Sequence, residues 1–185
     1  SVRAIEDSDV CLLLIDAQDG IQQQDLHIFG ICQRNGKGIV IVVNKWDLVP
    51  KETNTAKAVE AEIHRRIAPF SDVPVVFTSV MEKQRINKVM EVAMQVYANR
   101  QQRIPTHKLN EVMLPEIAHF PPPVVKGKTV SIKYVNQLPG IVPAFAFFAN
   151  LPQYVSDSYT RFLENKLREH FTFTGVPIRV FFRKK

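Results

Sequence analysis

Four residues that follow an apolar run carry the most specific chemistry in this sequence. The run covers residues 39–43, and Asn44, Lys45, Trp46 and Asp47 come directly after it. The carboxylate of Asp47 can accept hydrogen bonds from the N1–H and N2–H groups of guanine, whereas adenine offers no such pair of donors. Because the wrong base leaves a buried carboxylate unpaired, such a site can discriminate by a factor of about 10⁴. Asn44 can bridge the loop and the edge of the base, and the stem of Lys45 can lie across its ring.

A second element of the same kind follows the next predicted strand. Thr78, Ser79 and Val80 come after the apolar run 74–77, where backbone N–H groups can meet the O6 atom of guanine. Each element alone has an ordinary structural explanation. Asn and Asp are common in turns after strands, and a Thr-Ser pair commonly caps a helix. Their occurrence at two successive strand ends favours a guanine-binding site.

Alternating strands and helices are predicted to position these residues. Continuous apolar runs predict strands at 10–15, 39–43 and 74–78, and helical spacing predicts helices at 21–35, 55–67 and 86–97. Strands without polar alternation are typical of a parallel sheet that helices cover on both faces. Ligands of such sheets bind beyond the carboxyl ends of the strands, which is where Asn44 lies. The sequence therefore predicts an α/β fold for residues 1–103.

The edge of this sheet and the first residue of the chain suggest that more sequence precedes it. An apolar strand at an open edge would expose unpaired backbone groups. We therefore expect the natural neighbours of the strand at 10–15 to lie upstream, and the absence of an initiator Met agrees with a fragment.

The net charge of +6 belongs entirely to the second part of the chain. Residues 1–103 contain 13 basic and 13 acidic residues, whereas residues 104–185 contain 11 basic and 5 acidic ones. Nine of the 12 prolines and 12 of the 17 aromatic residues also lie in the second part. This shift in composition predicts two domains, with the boundary near residue 103.

The second part has the pattern of a small α+β domain. The predicted order is a helix at 109–119, strands at 129–135 and 144–149, a helix capped by Ser156 or Asp157, and a strand at 178–183. This order fits a KH-like fold. Alternation places Val130, Ile132 and Tyr134 on the face that meets the helices.

The opposite face of that predicted sheet combines basic and aromatic residues. Such a surface can bind single-stranded RNA by phosphate contact and stacking. Phe and Arg also anchor domain interfaces, and no G-x-x-G loop for gripping an RNA backbone occurs here. Domain packing is therefore slightly favoured, with RNA contact through basic side chains as the alternative. The candidate residues for either role are Lys133, Arg179, Phe181, Arg183, Lys184 and Lys185.

These motifs resemble one family over nearly the whole chain. Residues 1–47 are similar to the later half of a translation-factor-type GTPase domain, and more narrowly to the second GTPase domain of the Der (EngA) family. The second part resembles the KH-like C-terminal domain of that family, in Arg103-Ile104-Pro105-Thr106, Pro121-Pro122-Pro123 and residues 163–169 and 175–179. The resemblance implies a partial G domain with a P-loop NTPase-type parallel sheet at 1–103 and a KH-like domain at 104–185.

The resemblance also assigns roles and partners. It implies that Asn44, Lys45 and Asp47 recognise guanine, with Ser79 and Val80 lining the base. Most relatives have Ala at the position of Val80, but that contact runs through the backbone. The implied protein is a cytoplasmic GTP-binding and GTP-hydrolysing switch that acts in assembly of the large ribosomal subunit. Its implied ligands and partners are GTP or GDP with Mg²⁺, ribosomal RNA and a preceding GTPase domain.

The sequence lacks the residues that act on phosphate. It contains no G-x-x-x-x-G-K-[ST] loop and no D-x-x-G motif, and Asp16 is interpreted as a strand-end residue rather than a magnesium ligand. Phosphoryl transfer needs a phosphate cradle, magnesium and a positioned water together. The chain alone is therefore predicted to be inactive as an enzyme. The alternative is a non-catalytic RNA- or protein-binding module on a Rossmann-like scaffold.

The sequence also disfavours a membrane-spanning protein and a metal-binding or disulfide-bonded one. The apolar runs fall far short of the roughly 18 residues that a membrane span needs. Cys11 and Cys32 lie in apolar segments without metal-ligand spacing, so we expect reduced thiols, and the five histidines show no ligand spacing either.

Overall fold

The computed structural model describes residues 2–83 and 85–185, which form two compact units. Unit 1 comprises Ser1–Arg100 together with Phe173–Pro177, and unit 2 comprises Gln101–Thr172 together with Ile178–Lys185. Ser1, with which the predicted partial G domain begins, lies outside the described residues. Within the described parts of the chain, no helix is both long and apolar enough to cross a membrane.

Unit 1 has the predicted alternation of strands and helices. Its elements are α1 (Val2–Glu6), β1 (Val10–Asp16), α2 (Gln23–Arg34), β2 (Gly38–Asn44), a 3₁₀ turn (Trp46–Leu48), α3 (Thr55–Ile67), β3 (Val75–Phe77) and α4 (Ile86–Gln101). The strands are parallel in the order β1-β2-β3. The predicted α/β fold with a parallel sheet is therefore confirmed.

Strand β2 forms the centre of unit 1. Its residues from Gly38 to Val43 are all buried, and Ile39, Ile41 and Val43 pack with Phe29 and Ile63 in one apolar cluster. Burial of side chains of this size contributes about 1.5–3 kcal/mol each. The strand that ends at Asn44 is consequently held firmly on both faces.

Strand β1 is covered on one face only. Leu13 and Ile15 are buried, whereas Leu12 is 40% and Leu14 57% exposed. In the described part of the chain, β1 pairs with β2 and with no other strand. The continuous apolar run predicted burial on both faces, and for β1 this is wrong within unit 1, where one apolar face is uncovered and one edge is open. The expectation that its neighbours lie upstream stays a prediction.

The segment Phe173–Pro177 packs within unit 1 although it lies near the end of the sequence. The Ile39 N–H donates a hydrogen bond to the Gly175 carbonyl at 2.7 Å, and the Gly175 N–H donates to the Asp72 carbonyl at 2.7 Å. The Asn99 side chain donates to the Thr174 carbonyl at 3.0 Å. The segment therefore binds the amino end of β2, opposite the end that carries Asn44.

Unit 2 combines two helices and a mixed sheet. Its elements are α5 (Thr106–His119), β4 (Ile132–Gln137), β5 (Ala144–Ala149), a 3₁₀ turn (Pro152–Tyr154), α6 (Asp157–His170) and β6 (Arg179–Lys184). β4 and β5 are antiparallel, β5 and β6 parallel. Ser156 caps α6 by accepting a hydrogen bond from the Tyr159 N–H. The fully buried core side chains include Leu109, Met113, Phe145, Phe147, Leu163 and Leu167.

A β-bulge changes which face of the unit 2 sheet Tyr134 occupies. Ile132 pairs with Ala149, but Tyr134 pairs with Phe148, so one extra residue lies between them on β4. The Tyr134 ring lies 5.7 Å from the Phe148 ring, and the residue is 39% exposed. The predicted placement of Tyr134 on the helix-facing side is wrong, because a bulge shifts the alternation by one residue.

A small ionic cluster joins the two helices of unit 2. His170 Nε2 lies 2.9 Å from Glu116 Oε1, and Lys166 Nζ lies 3.3 Å from Glu116 Oε2. The hydrogen bond to His170, and secondly that to Lys166, lowers the pKa of Glu116 below its ordinary value of 4.5. A carboxyl group with a lowered pKa stabilises the fold above its unfolded pKa, and this stabilisation is lost as pH falls through the folded pKa.

We therefore expect the Glu116→Gln variant to unfold at a lower temperature than the wild type at pH 7. The difference should shrink as the pH falls below the ordinary carboxyl pKa of 4.5 and vanish once the pH has passed through the lowered pKa of Glu116 in the folded state. Thermal unfolding followed by circular dichroism at several pH values measures this. Glu111→Gln, at an exposed position of the same helix, is the control. A pH-independent difference would show that Glu116 acts by packing.

Candidate nucleotide-binding site

The carboxyl ends of the three strands of unit 1 bring the two predicted elements together. Asp16 and Asn44 are register partners at the ends of β1 and β2. The Thr78 N–H donates to the Val43 carbonyl at 2.8 Å, and the Trp46 N–H donates to the Thr78 carbonyl at 3.0 Å. The segments 44–47 and 78–80 are therefore joined by backbone hydrogen bonds, as expected for neighbouring ends of a parallel sheet.

The side chain of Asn44 ties these two segments to each other. Its Oδ1 atom accepts a hydrogen bond from the Val80 N–H at 3.1 Å and one from the Thr78 hydroxyl at 3.4 Å. An Asn side chain can satisfy such backbone groups because it carries both an acceptor and donors. Asn44 thus links the loops within the protein, while its predicted contact with a base stays a prediction.

Ser79 and Val80 differ in exposure. Ser79 is fully buried, and its hydroxyl accepts a hydrogen bond from the Glu82 N–H at 3.3 Å. Val80 is 51% exposed, and its N–H is held by Asn44. The side chains of Ser79 and Asn44 therefore order the backbone of this segment, and its exposed part lies at Val80.

Asp47 lies in the 3₁₀ turn that follows β2, and it is half-buried. Among the residues that the structure describes, none forms a hydrogen bond or ion pair with its carboxylate. The neighbouring Trp46 ring packs 4.5 Å from the Phe77 ring, and the Lys51 ammonium lies 5.5 Å from the Trp46 ring. Aromatic packing of this kind fixes the turn against the sheet and leaves the Asp47 carboxylate available as an acceptor.

Lys45 adopts an unusual backbone conformation and forms an ion pair. Its φ angle is 58°, in the left-handed region, and its Nζ atom lies 2.6 Å from Asp16 Oδ2. The hydrogen bond from Lys45, and next the Gln18 N–H, lowers the pKa of Asp16; the same bond raises the pKa of Lys45. Asp16 is the last residue of β1, as the sequence predicted, but its pairing with Lys45 was not anticipated.

The donors around this site do not form a magnesium site. Across residues 2–83 and 85–185, the side chains close enough together to hold a metal ion are Glu116, Glu169 and His170, and all three belong to unit 2. There the ammonium of Lys166 lies within 3.3 Å of both carboxylates and already occupies the position between them. In unit 1, both oxygens of Asp16 already accept hydrogen bonds. Among the described residues, unit 1 therefore holds no group of three metal-capable side chains, and the Asp16 carboxylate is occupied by Lys45 and Gln18.

The basic and aromatic candidates of unit 2 fall on different faces. Arg179, Phe181 and Arg183 pair with Ala144, Ala146 and Phe148, so the three share one face of the sheet. Lys184 pairs with Ala149 and lies on the other face. Lys133 lies at the bulge, and Lys133 and Lys185 are exposed. The candidate residues therefore do not form one surface, since Arg179, Phe181 and Arg183 share a face of the sheet that Lys184 does not.

Two families match this chain, one in each part. Residues 1–99 match the elongation factor Tu GTP-binding domain, and residues 103–183 match the KH-domain-like domain at the C terminus of EngA bacterial GTPase enzymes. The first match covers more than half of the chain, and the parallel sheet with the motif at residues 44–47 after β2 agrees with it. The chain belongs to the elongation factor Tu-type GTP-binding domain family.

Individual relatives show more narrowly which part of a longer protein this chain resembles. The chain is 59% identical over 186 residues to GTPase Der of Porphyromonas gingivalis and 60% identical over 185 residues to GTPase Der of Christiangramia forsetii. Each comparison covers all of this chain and 43% of the relative. The predicted similarity to the C-terminal part of Der (EngA) is confirmed. Among solved structures, Aquifex aeolicus Era bound to GDP.AlF4- aligns with a TM-score of 0.46 at 18% identity, over all of this chain and 67% of that one.

Proposed function

We propose that this chain is the base-reading half of a GTP-hydrolysing switch protein. In this proposal Asp47 accepts hydrogen bonds from N1–H and N2–H of guanine, the stem of Lys45 covers the ring, and Ser79 and Val80 lie beside the base. The observation that carries the proposal is the junction of the two loops through Asn44 Oδ1. Three residues further on, the Asp47 carboxylate has no hydrogen-bond partner among the described residues. The match of residues 1–99 to a GTP-binding domain supports it.

Hydrolysis requires residues beyond those that bind the base. The chain spans 43% of the length of its curated relatives, and it has no phosphate-loop motif. The open edge of β1 and the exposed Leu12 and Leu14 are suited to further strands and helices of a complete G domain. We assign GTP hydrolysis, with Mg²⁺ that holds the phosphates, to the family-length protein.

A direct test is titration of the ¹⁵N-labelled chain with GDP and, in parallel, with ADP. GDP is expected to shift the amide signals of residues 44–47 and 78–80, while ADP leaves them in place. Affinity should be weak, in the millimolar range of about −4 kcal/mol, because the chain lacks phosphate contacts. Equal shifts with both nucleotides, or none with either, would favour the non-catalytic scaffold instead.

We further propose that the protein acts in assembly of the large ribosomal subunit in the cytoplasm. The KH-like match at residues 103–183 and the +6 charge carried by residues 104–185 support contact with ribosomal RNA. In this proposal the tail of Arg183, Lys184 and Lys185 meets phosphate. The face of Arg179 and Phe181 then packs against RNA or against the preceding GTPase domain.

Neutralising Arg183, Lys184 and Lys185 together is expected to weaken binding of the chain to large ribosomal subunits. Binding then releases fewer counterions, so the negative slope of log K against log salt should become shallower by about 2. Binding is measured by sedimentation at several salt concentrations. The matched control neutralises three exposed basic residues of unit 1, Lys57, Arg65 and Lys88. An unaltered salt slope would indicate that the tail serves packing.

A further inference from the structure

We infer that Asp16 is a positioning residue for guanine recognition, because it anchors the ammonium of Lys45 and thereby fixes the course of the lysine stem. The inference rests on the proposed function, in which that stem covers the guanine ring. It gives a role to a carboxylate that the motif 44–47 does not include. Three sets of contacts support it.

The first set fixes the backbone of Asp16 beside the motif. Asp16 is the register partner of Asn44, and the Ala17 N–H donates to the Asn44 carbonyl at 2.9 Å. The Asp16 carbonyl in turn accepts from the Gly20 N–H at 2.9 Å. Asp16 is therefore the last paired residue of β1 and the first residue of a hydrogen-bonded turn. The pairing of β1 with β2 determines its position relative to Asn44.

The second set orients the carboxylate. Oδ1 accepts a hydrogen bond from the Gln18 N–H at 2.9 Å, which leaves Oδ2 to meet the lysine at 2.6 Å. Exposed ion pairs are generally weak because two long side chains must be ordered. Here the short partner is already ordered by a backbone donor, so only the lysine loses freedom when the pair forms.

The third set concerns Lys45 itself. Its backbone is held in the left-handed region, and its carbonyl accepts a hydrogen bond from the Leu48 N–H at 3.1 Å. A lysine side chain has four rotatable bonds and half of this one is exposed. Anchoring it before a ligand arrives reduces the entropy lost on binding, which is the usual basis of preorganisation.

The test compares GDP affinities of the wild type and the isosteric Asp16→Asn variant by titration of the labelled chain. Asp16→Asn is expected to lower the affinity about 3- to 10-fold, which is the scale of ordering one flexible side chain. Asp16→Glu, which keeps the charge, should recover part of the loss. Asp7→Asn, which removes an exposed carboxylate just before the amino end of β1, is the matched control and should bind as the wild type does.

A double-mutant cycle separates positioning from a general structural effect. If Asp16 acts through Lys45, then Asp16→Asn should have no further effect in a Lys45→Met background. An equal loss in both backgrounds, or no loss with Asp16→Asn alone, would overturn the inference. If the wild type fails to prefer GDP over ADP, the proposed function fails.

A measurement without nucleotide distinguishes failure of the Asp16–Lys45 anchoring from failure of the proposed guanine recognition. In the free chain, the two Hε protons of Lys45 are expected to have separate chemical shifts, because the ion pair restricts the end of the side chain. They should become equivalent in Asp16→Asn. Equivalent protons in the wild type would contradict the anchoring of Lys45, whatever the chain binds.

Discussion

Replacing Asp47 by asparagine is expected to change the base preference of this chain from guanine to xanthine. The asparagine carbonyl can still accept N1–H, but its NH₂ group faces the N2–H donors of guanine and leaves both unpaired. Xanthine has a carbonyl oxygen at that position, which accepts from the NH₂ group. Sites built on such pairing discriminate by factors of up to about 10⁴, so the ratio of GDP to xanthosine diphosphate affinity should change by orders of magnitude.

Titrations of wild type and Asp47→Asn with both nucleotides measure this ratio. Asp7→Asn serves as the control, since it removes the same charge from an exposed position before the amino end of β1, away from the strand ends that carry the site. Unchanged affinity for GDP in Asp47→Asn would refute the role assigned to Asp47. A loss of affinity for both nucleotides with no change in their ratio would indicate that the 3₁₀ turn itself is disturbed.

Replacing Gly175 by alanine is expected to destabilise unit 1 by about 2–4 kcal/mol. Gly175 has a φ angle of +77°, which costs an L-residue about 1–2 kcal/mol. A Cβ atom there would lie 2.6 Å from a Val96 methyl group and 2.9 Å from the Ile39 carbonyl oxygen. The backbone of Ile39 cannot move away without breaking the hydrogen bond from its N–H to the Gly175 carbonyl, so overpacking adds about 1–3 kcal/mol.

Urea unfolding of the wild type and the variant gives the free-energy difference. Gly20→Ala is the matched control in the same unit, because Gly20 has a φ angle of +69° but nothing within 4 Å of an added Cβ. It should lose only the conformational part, about 1–2 kcal/mol. Equal losses in the two variants would mean that the segment 173–177 does not pack on β2 as described.

Much of unit 1 was predictable because its information is local. Continuous apolar runs identify buried parallel strands, and the polar residues directly after β2 and β3 lie at one edge of the sheet by geometry alone. The pairing of Asn44 with Val80 follows from that geometry. In unit 2, the cap at Ser156 was equally readable, since a hydroxyl before an amphipathic helix is a local signal.

Other features depend on residues that are distant in the sequence, and no local pattern reports them. The bulge between Ile132 and Tyr134 is set by the pairing of β4 with β5, so alternation along one strand missed it. The packing of Gly175 on Ile39 joins residues that are 136 positions apart. The sequence alone therefore carries the fold class, the family and the residues suited to read guanine. Tertiary structure decides that Asp16 meets Lys45 and that 173–177 returns to unit 1, because these contacts arise only when separate segments pack together.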